Sequence, residues 1–159
     1  MSEKRVSQLL QKIEEVEWVG PHTPVAEAVR RLGRQRRRGC EGVLLVVSRE
    51  QGEEEVLGTL SLEDVLARLE PPPPQGDDLP IFWQGQFQDR LRLALEGRVE
   101  DYMSPLRHAL NQGGTLMEAL HLMNLHQTRL LVVMQGESVV GILTREHLVR
   151  EVVALAREG

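Results

Sequence analysis

The chain writes one seven-residue stretch twice. Gly58-Thr59-Leu60-Ser61-Leu62-Glu63-Asp64 returns as Gly141-Ile142-Leu143-Thr144-Arg145-Glu146-His147. In each copy a glycine leads two strand-forming residues, then a hydroxyl residue, then a polar side chain three places on. An apolar stripe follows: Leu62, Val65, Leu66 and Leu69 in the first copy, Leu148, Val152 and Leu155 in the second. Spacing of i, i+3/i+4 and i+7 marks one buried helix face. The stretch therefore reads as a strand turning directly into a helix, with Ser61 or Thr144 at the N-cap. Two roles are open for such a start. Its unpaired N–H groups and partial positive charge suit an anion such as a phosphate, and the Asp64 carboxylate can accept hydrogen bonds from a pair of sugar hydroxyls. The same Ser-x-x-acid spacing also resembles a capping box, in which both side chains serve only the local backbone.

The repeat extends outward in register. The stripe Val25, Ala28, Val29 and Leu32 returns 91 residues later as Leu116, Ala119, Leu120 and Met123. The run Leu44-Leu45-Val46-Val47 returns 86 residues later as Leu130-Leu131-Val132-Val133, and the glycine stretch 83 residues later. The shrinking offset places longer loops in the first copy, at 34–42 and 49–55. Register kept through every element indicates a tandem duplication. Each copy reads as strand–helix–strand–strand–helix. In the first, Thr23 caps a helix with Pro24 at its first position; in the second, Thr115-Leu116-Met117-Glu118 spells a full capping box. The five-aliphatic run from Val43 to Val47 has the look of a strand buried on both faces. Arg34 to Arg38 crowd the end of the first helix, where they either complement its dipole or grip a phosphate.

Residues 3–15 place Val6, Leu9, Leu10 and Ile13 on one face, the pattern of a leading amphipathic helix. Between the copies, the four prolines at 71–74 make a stiff spacer, and a helix is expected from about residue 77 to 96. Phe82, Trp83 and Phe87 lie on it, continued by Leu91 and Leu95; they are three of only five aromatics in the chain. That face either closes the duplicated core or forms a partner or dimer surface. The expected organisation is an N-terminal helix (1–15), a first repeat (16–69), a linker with an inserted helix (70–98) and a second repeat (99–159).

Composition narrows the function. A length of 159 residues allows one ordinary domain or two small ones. A formal net charge of −5 argues against a nucleic-acid binder. Cys40 is the only cysteine, so neither a disulfide framework nor a cysteine-based zinc site can be built. The charged N-terminus has no apolar core behind it, and no apolar run is long enough to cross a bilayer. The expectation is a soluble cytoplasmic protein. Of the five histidines, His121 and His126 are five apart and off a common helical face, so no metal spacing is present. No Gly-rich phosphate loop, nucleophilic triad or cofactor motif appears, and no catalytic residue is assigned.

Taken together, the pattern resembles a tandem pair of cystathionine-β-synthase (CBS) domains, the Bateman module. The second half carries the likeness most clearly, in Val99-Glu-Asp-Tyr-Met-Ser-Pro105, Thr115-Leu-Met-Glu-Ala-Leu-His-Leu-Met123, Arg129-Leu-Leu-Val-Val133 and Gly141-Ile-Leu-Thr144. The resemblance implies an α/β (α+β) fold of two βαββα repeats packed sheet to sheet about a pseudo-twofold axis. It implies clefts for adenosine compounds such as AMP, ADP, ATP or S-adenosylmethionine. The hydroxyl residue after the last strand is expected to meet phosphate, and the aspartate three places on to take the ribose hydroxyls. Ser61 and Asp64 match both parts. Thr144 matches the first, but His147 stands where the aspartate is expected and cannot hold a diol as a carboxylate does. A protonated His147 would instead attract phosphate below about pH 6.5. Thr23 and Arg129 complete the candidate ligand contacts. The resulting expectation is a non-enzymatic regulatory module sensing adenine nucleotide, homodimeric, acting on an unidentified protein. The alternative is a ligand-free dimerisation or interaction scaffold with the same fold.

Overall fold

The aliphatic runs become the central strands of two four-stranded sheets. The computed structural model describes residues 3–37, 42–70, 85–106 and 108–158; Arg38, Cys40, the prolines at 71–74, Phe82 and Trp83 lie outside them. In chain order the elements are α1 (Val6–Leu9), β1 (Gln11–Lys12), β2 (Trp18–Val19), α2 (Val25–Arg37), β3 (Leu44–Ser48), β4 (Glu55–Leu60), α3 (Leu62–Ala67), α4 (Gln86–Glu96), β5 (Ser104–Pro105), β6 (Ala109–Asn111), α5 (Leu116–Leu125), β7 (Leu130–Gln135), β8 (Ser138–Thr144) and α6 (Arg145–Glu158). They divide into two compact units, Glu17–Pro105 and Met1–Val16 with Leu106–Gly159.

In the first unit the sheet runs β2-β3-β4-β5. Leu44, Val46 and Leu60 on its strands, Val25, Ala28 and Leu32 on α2, and Val65 on α3 share one buried cluster. Ala94 of α4 joins that cluster, and Leu91 and Leu95 pack against it. The inserted helix thus closes the core. It also supplies Arg90, whose Nε donates to the Leu69 carbonyl at 3.0 Å beyond the end of α3. Phe87, by contrast, is exposed. In the second unit the order is β1-β8-β7-β6, and Leu131, Val133 and Leu143 pack with Ala119, Met123, Leu110 and Val6. Each Val, Leu or Met side chain so buried contributes about 1.5–3 kcal/mol. The duplication persists in detail: both hairpins shift register at one place, leaving Leu57 and Val140 as the extra residues of matching bulges.

Each sheet is completed by a strand taken from elsewhere in the chain. In the first unit β5 lies antiparallel on β4, with Ser104 opposite Thr59 and Pro105 opposite Gly58. In the second, β1 lies antiparallel on β8, with Gln11 opposite Ile142 and Lys12 opposite Gly141. The two repeated glycines sit beneath these crossings. A Cβ on Gly58 would overlap the Ser104 carbonyl, and one on Gly141 would overlap that of Gln11. Glycine is needed there for close approach.

This pairing corrects the reading of residues 3–15. Only Val6–Leu9 is helical; Gln11–Lys12 is strand and Ile13–Glu15 a single 3-10 turn. The backbone of residues 11 and 12 gains more from sheet pairing than from a short isolated helix, which is marginal by itself. The cap at residues 23 and 24 also differs. α2 starts at Val25, and Pro24 forms a bridge with Arg98 instead of occupying the first helical position. Thr115 caps α5 by accepting from the Glu118 N–H at 3.1 Å, but the reciprocal half of the box is not made. Finally, the stripe on α6 is only partly buried. Leu148 packs on the core, whereas Val152 and Leu155 are exposed, because the later turns of this 14-residue helix run beyond the cluster.

Gly58→Ala and Gly141→Ala should each lower stability by about 1–3 kcal/mol through backbone overlap. Gly33→Ala, in the interior of α2 with nothing within 4 Å of an added Cβ, should raise it by roughly 0.5–1 kcal/mol. Urea midpoints of the three variants check both signs.

Candidate functional site

The two glycine stretches lead to two matching polar clusters. In the first unit Ser61 follows β4 in extended conformation, φ −129° and ψ 167°, and caps α3. Its Oγ accepts from the Asp64 N–H at 3.3 Å. The Asp64 carboxylate answers: Oδ2 accepts from the Ser61 N–H at 2.8 Å and from the Ser61 hydroxyl at 3.1 Å. The capping box is therefore complete with an aspartate in the place usually held by Glu or Gln. Asp64 has a further partner that its own helix does not supply. The Ser104 hydroxyl of β5 donates to Oδ1 at 2.6 Å, the short distance of a charge-assisted O–H···O⁻ bond. Asp64 remains only partly buried.

The second unit repeats the geometry with different chemistry. The Thr144 N–H donates to His147 Nδ1 at 2.9 Å, and Thr144 Oγ1 lies 3.1 Å from the same nitrogen. Imidazole here replaces a carboxylate oxygen as the cap acceptor. Because Nδ1 accepts, the neutral ring carries its proton on Nε2. His147 has its pKa lowered from 6.5, first by burial and then by the Arg150 charge, with Glu146 opposing. A protonated His147 as a phosphate attractor runs against both observations, since protonating Nδ1 would abolish the cap. Beside it, Arg145 takes the place of Leu62; its Nη2 donates to Asn124 Oδ1 at 2.9 Å, while its buried Nε has no partner among the described residues.

The remaining candidates sit at the edges. Thr23 is half-buried, and its backbone is used locally: its N–H donates to the Gly20 carbonyl at 3.2 Å and its carbonyl accepts from Val99 at 3.0 Å. Arg129 precedes β7, exposed, and its carbonyl accepts from the Arg145 N–H at 2.8 Å. Among the described residues Thr23 makes no hydrogen bond to Ser61 or Asp64. Ser104 was not legible as a site residue, because it lies forty positions from Asp64 and only strand pairing brings it close. The histidines also meet unforeseen neighbours: His108 and His126 stack at 3.5 Å between ring centroids, and His22 lies between Glu50 and Glu100 at 3.7 and 3.4 Å. Among the described residues no group of three or more His, Cys, Asp or Glu is arranged to hold a metal, and no helix is long and apolar enough to cross a membrane.

The lowered pKa of His147 has a sign. The unfolded chain takes up a proton near pH 6.5 that the folded chain resists, so stability is full above that pH and falls as the pH drops through it. His147→Gln, which does not titrate, should show a smaller loss of urea midpoint between about pH 7.5 and 5.5 than the parent. Equal losses in the two proteins would count against this assignment.

Comparison with known proteins agrees with the geometry. The CBS domain family model matches twice, at residues 6–71 and 99–154. No curated protein matches the chain, but solved structures do. CBSX2 from Arabidopsis thaliana is similar at a TM-score of 0.65 and 21% identity, over 98% of this chain and 99% of that one. A CBSX2 structure in complex with AMP gives 0.62 and 21%, over 96% and 98%. A CBS-domain-containing protein from Agrobacterium tumefaciens gives 0.67 and 17%, over 92% and 91%. At these identities the structural likeness speaks for the fold; the double family match goes further, and the chain belongs to the CBS domain family as a tandem pair.

Proposed function

We propose that the chain is a non-catalytic regulatory module that binds an adenosine nucleotide through the first repeat. The observation that carries this reading is the Asp64 carboxylate, held in a fixed orientation at the place where the family resemblance expects a ribose-binding acid. The AMP complex of CBSX2, a protein of the same fold, supports the ligand class. Ser61 stands where the phosphate contact is expected. The second repeat is the weaker site, because the His147 Nδ1 lone pair is already engaged and its ring offers no second acceptor. Each hydrogen bond from a ribose hydroxyl to a carboxylate is worth about 1.5–3 kcal/mol, so the difference between repeats amounts to roughly tenfold to a hundredfold or more in affinity.

The second unit also bears on assembly. Its helices α5 and α6 leave Met117, Leu120, Val149, Val152 and Val153 exposed. Apolar side chains concentrated on neighbouring helices favour a homodimer, twofold closure being the commonest arrangement. Phe87 is a further candidate contact; Phe82 and Trp83 belong to the same proposal but lie outside the described residues.

Calorimetric titration with AMP, ADP, ATP and S-adenosylmethionine tests the reading. One tight binding event is expected, abolished by Asp64→Ala, with a folded circular dichroism spectrum retained and about 0.5–2 kcal/mol of capping energy lost. Binding that survives Asp64→Ala but not His147→Ala would reverse the two sites. No binding of any of the four compounds would leave the interaction scaffold as the function. Sedimentation should give a dimer at high micromolar concentration, and a monomer there would rule the dimer out.

A further inference from the structure

The carboxylate of Asp64 is nearly full before any ligand arrives. It has four lone-pair positions, two on each oxygen. Three donors reach it among the described residues: the Ser61 N–H and the Ser61 hydroxyl on Oδ2, and the Ser104 hydroxyl on Oδ1. One position, on Oδ1, is open. A ribose cis-diol brings two donors, so one existing donor has to leave.

The geometry says which. The Ser61 N–H is fixed in the backbone at 2.8 Å, and Ser104 makes the shortest bond of the three, at 2.6 Å. The Ser61 hydroxyl is the longest, at 3.1 Å, and turns about one bond. When it turns away, Oδ2 gains an open position to match the one on Oδ1, and each carboxylate oxygen keeps one protein donor and offers one place to a ribose hydroxyl. The Ser61 N–H then holds Oδ2 and Ser104 holds Oδ1, which fixes the plane of the carboxylate at both ends.

We infer that Ser104 is a positioning residue of this site, orienting the Asp64 carboxylate for a vicinal diol without touching the ligand itself. The inference rests on the reading of Asp64 as the diol acceptor given above. Its origin lies in the strand crossing. Ser104 reaches Asp64 only because β5 docks on β4 over the bare Cα of Gly58. The second unit shows what happens at the matching place. Gln11, opposite Ile142 as Ser104 is opposite Thr59, directs its side-chain amide to the Glu15 carbonyl at 3.3 Å. The two repeats thus differ in the helper as well as in the acid.

The test compares AMP with its 2′,3′-dideoxy analogue, which keeps base and phosphate but lacks the diol. The parent should prefer AMP. Ser104→Ala should weaken AMP by about tenfold, the equivalent of one hydrogen bond to a charged group at the low end of its range, while leaving the dideoxy compound unchanged. Ser104→Thr, which keeps the hydroxyl, should restore the preference. If Ser104→Ala weakens both compounds equally, Ser104 serves only the fold and the inference fails. It fails too if the preference for AMP survives Ser104→Ala intact. A parent that binds neither compound, or both alike, overturns the Asp64 reading first and this inference with it.

Discussion

A backbone carbonyl lying directly over a glycine Cα is the contact on which each unit depends. It occurs twice, the Ser104 carbonyl over Gly58 and the Gln11 carbonyl over Gly141. Both crossing strands lie far along the chain from the strand they cover, β5 being separated from β4 by α3 and α4. β1 precedes its partner β8 by well over a hundred residues, so the second unit is closed only when the N-terminal segment arrives. Closing so long a loop costs conformational entropy that local contacts cannot recover beforehand. The glycines make the arrival possible, and in the first unit it brings the Ser104 hydroxyl onto the Asp64 carboxylate.

The junctions explain why the two readings of the Ser-x-x-acid motif need not compete. A capping box asks the side chain three places after the cap for a single acceptor aimed back at the cap N–H. Asp64 Oδ2 provides one at 2.8 Å and His147 Nδ1 provides one at 2.9 Å. For helix initiation the two residues are interchangeable, which is why histidine fits the second repeat without disturbing its fold. For holding a diol they are not, since only the carboxylate has a second oxygen. The same position can therefore serve local structure in both repeats while ligand chemistry stays with one. Burial and Arg150 disfavour protonation of His147 and so keep that cap acceptor available.

Much of this was written in the sequence. The duplicated stripes, the paired aliphatic runs and the repeated glycines placed the central strands and the helices behind them, because burial of aliphatic faces imposes their periods. What the sequence concealed lies in long-range pairing. Residues 3–15 carry a helical pattern, yet Gln11 and Lys12 are claimed by β8. The repeated glycine was visible, but its reason was not, since the covering carbonyl comes from another part of the chain. Ser104 stood in a recognisable motif, with nothing local to connect it to Asp64. The exposed end of α6 was misread for a related cause: periodicity marks an apolar face and does not say whether the core extends far enough to cover it.

A crystal structure grown with AMP tests the central claim most directly. The account predicts ribose hydroxyls on both oxygens of Asp64, with the Ser61 hydroxyl turned off the carboxylate and Ser104 still hydrogen-bonded to Oδ1. AMP bound with its ribose away from Asp64, or a ribose on Asp64 that has displaced Ser104, would contradict it.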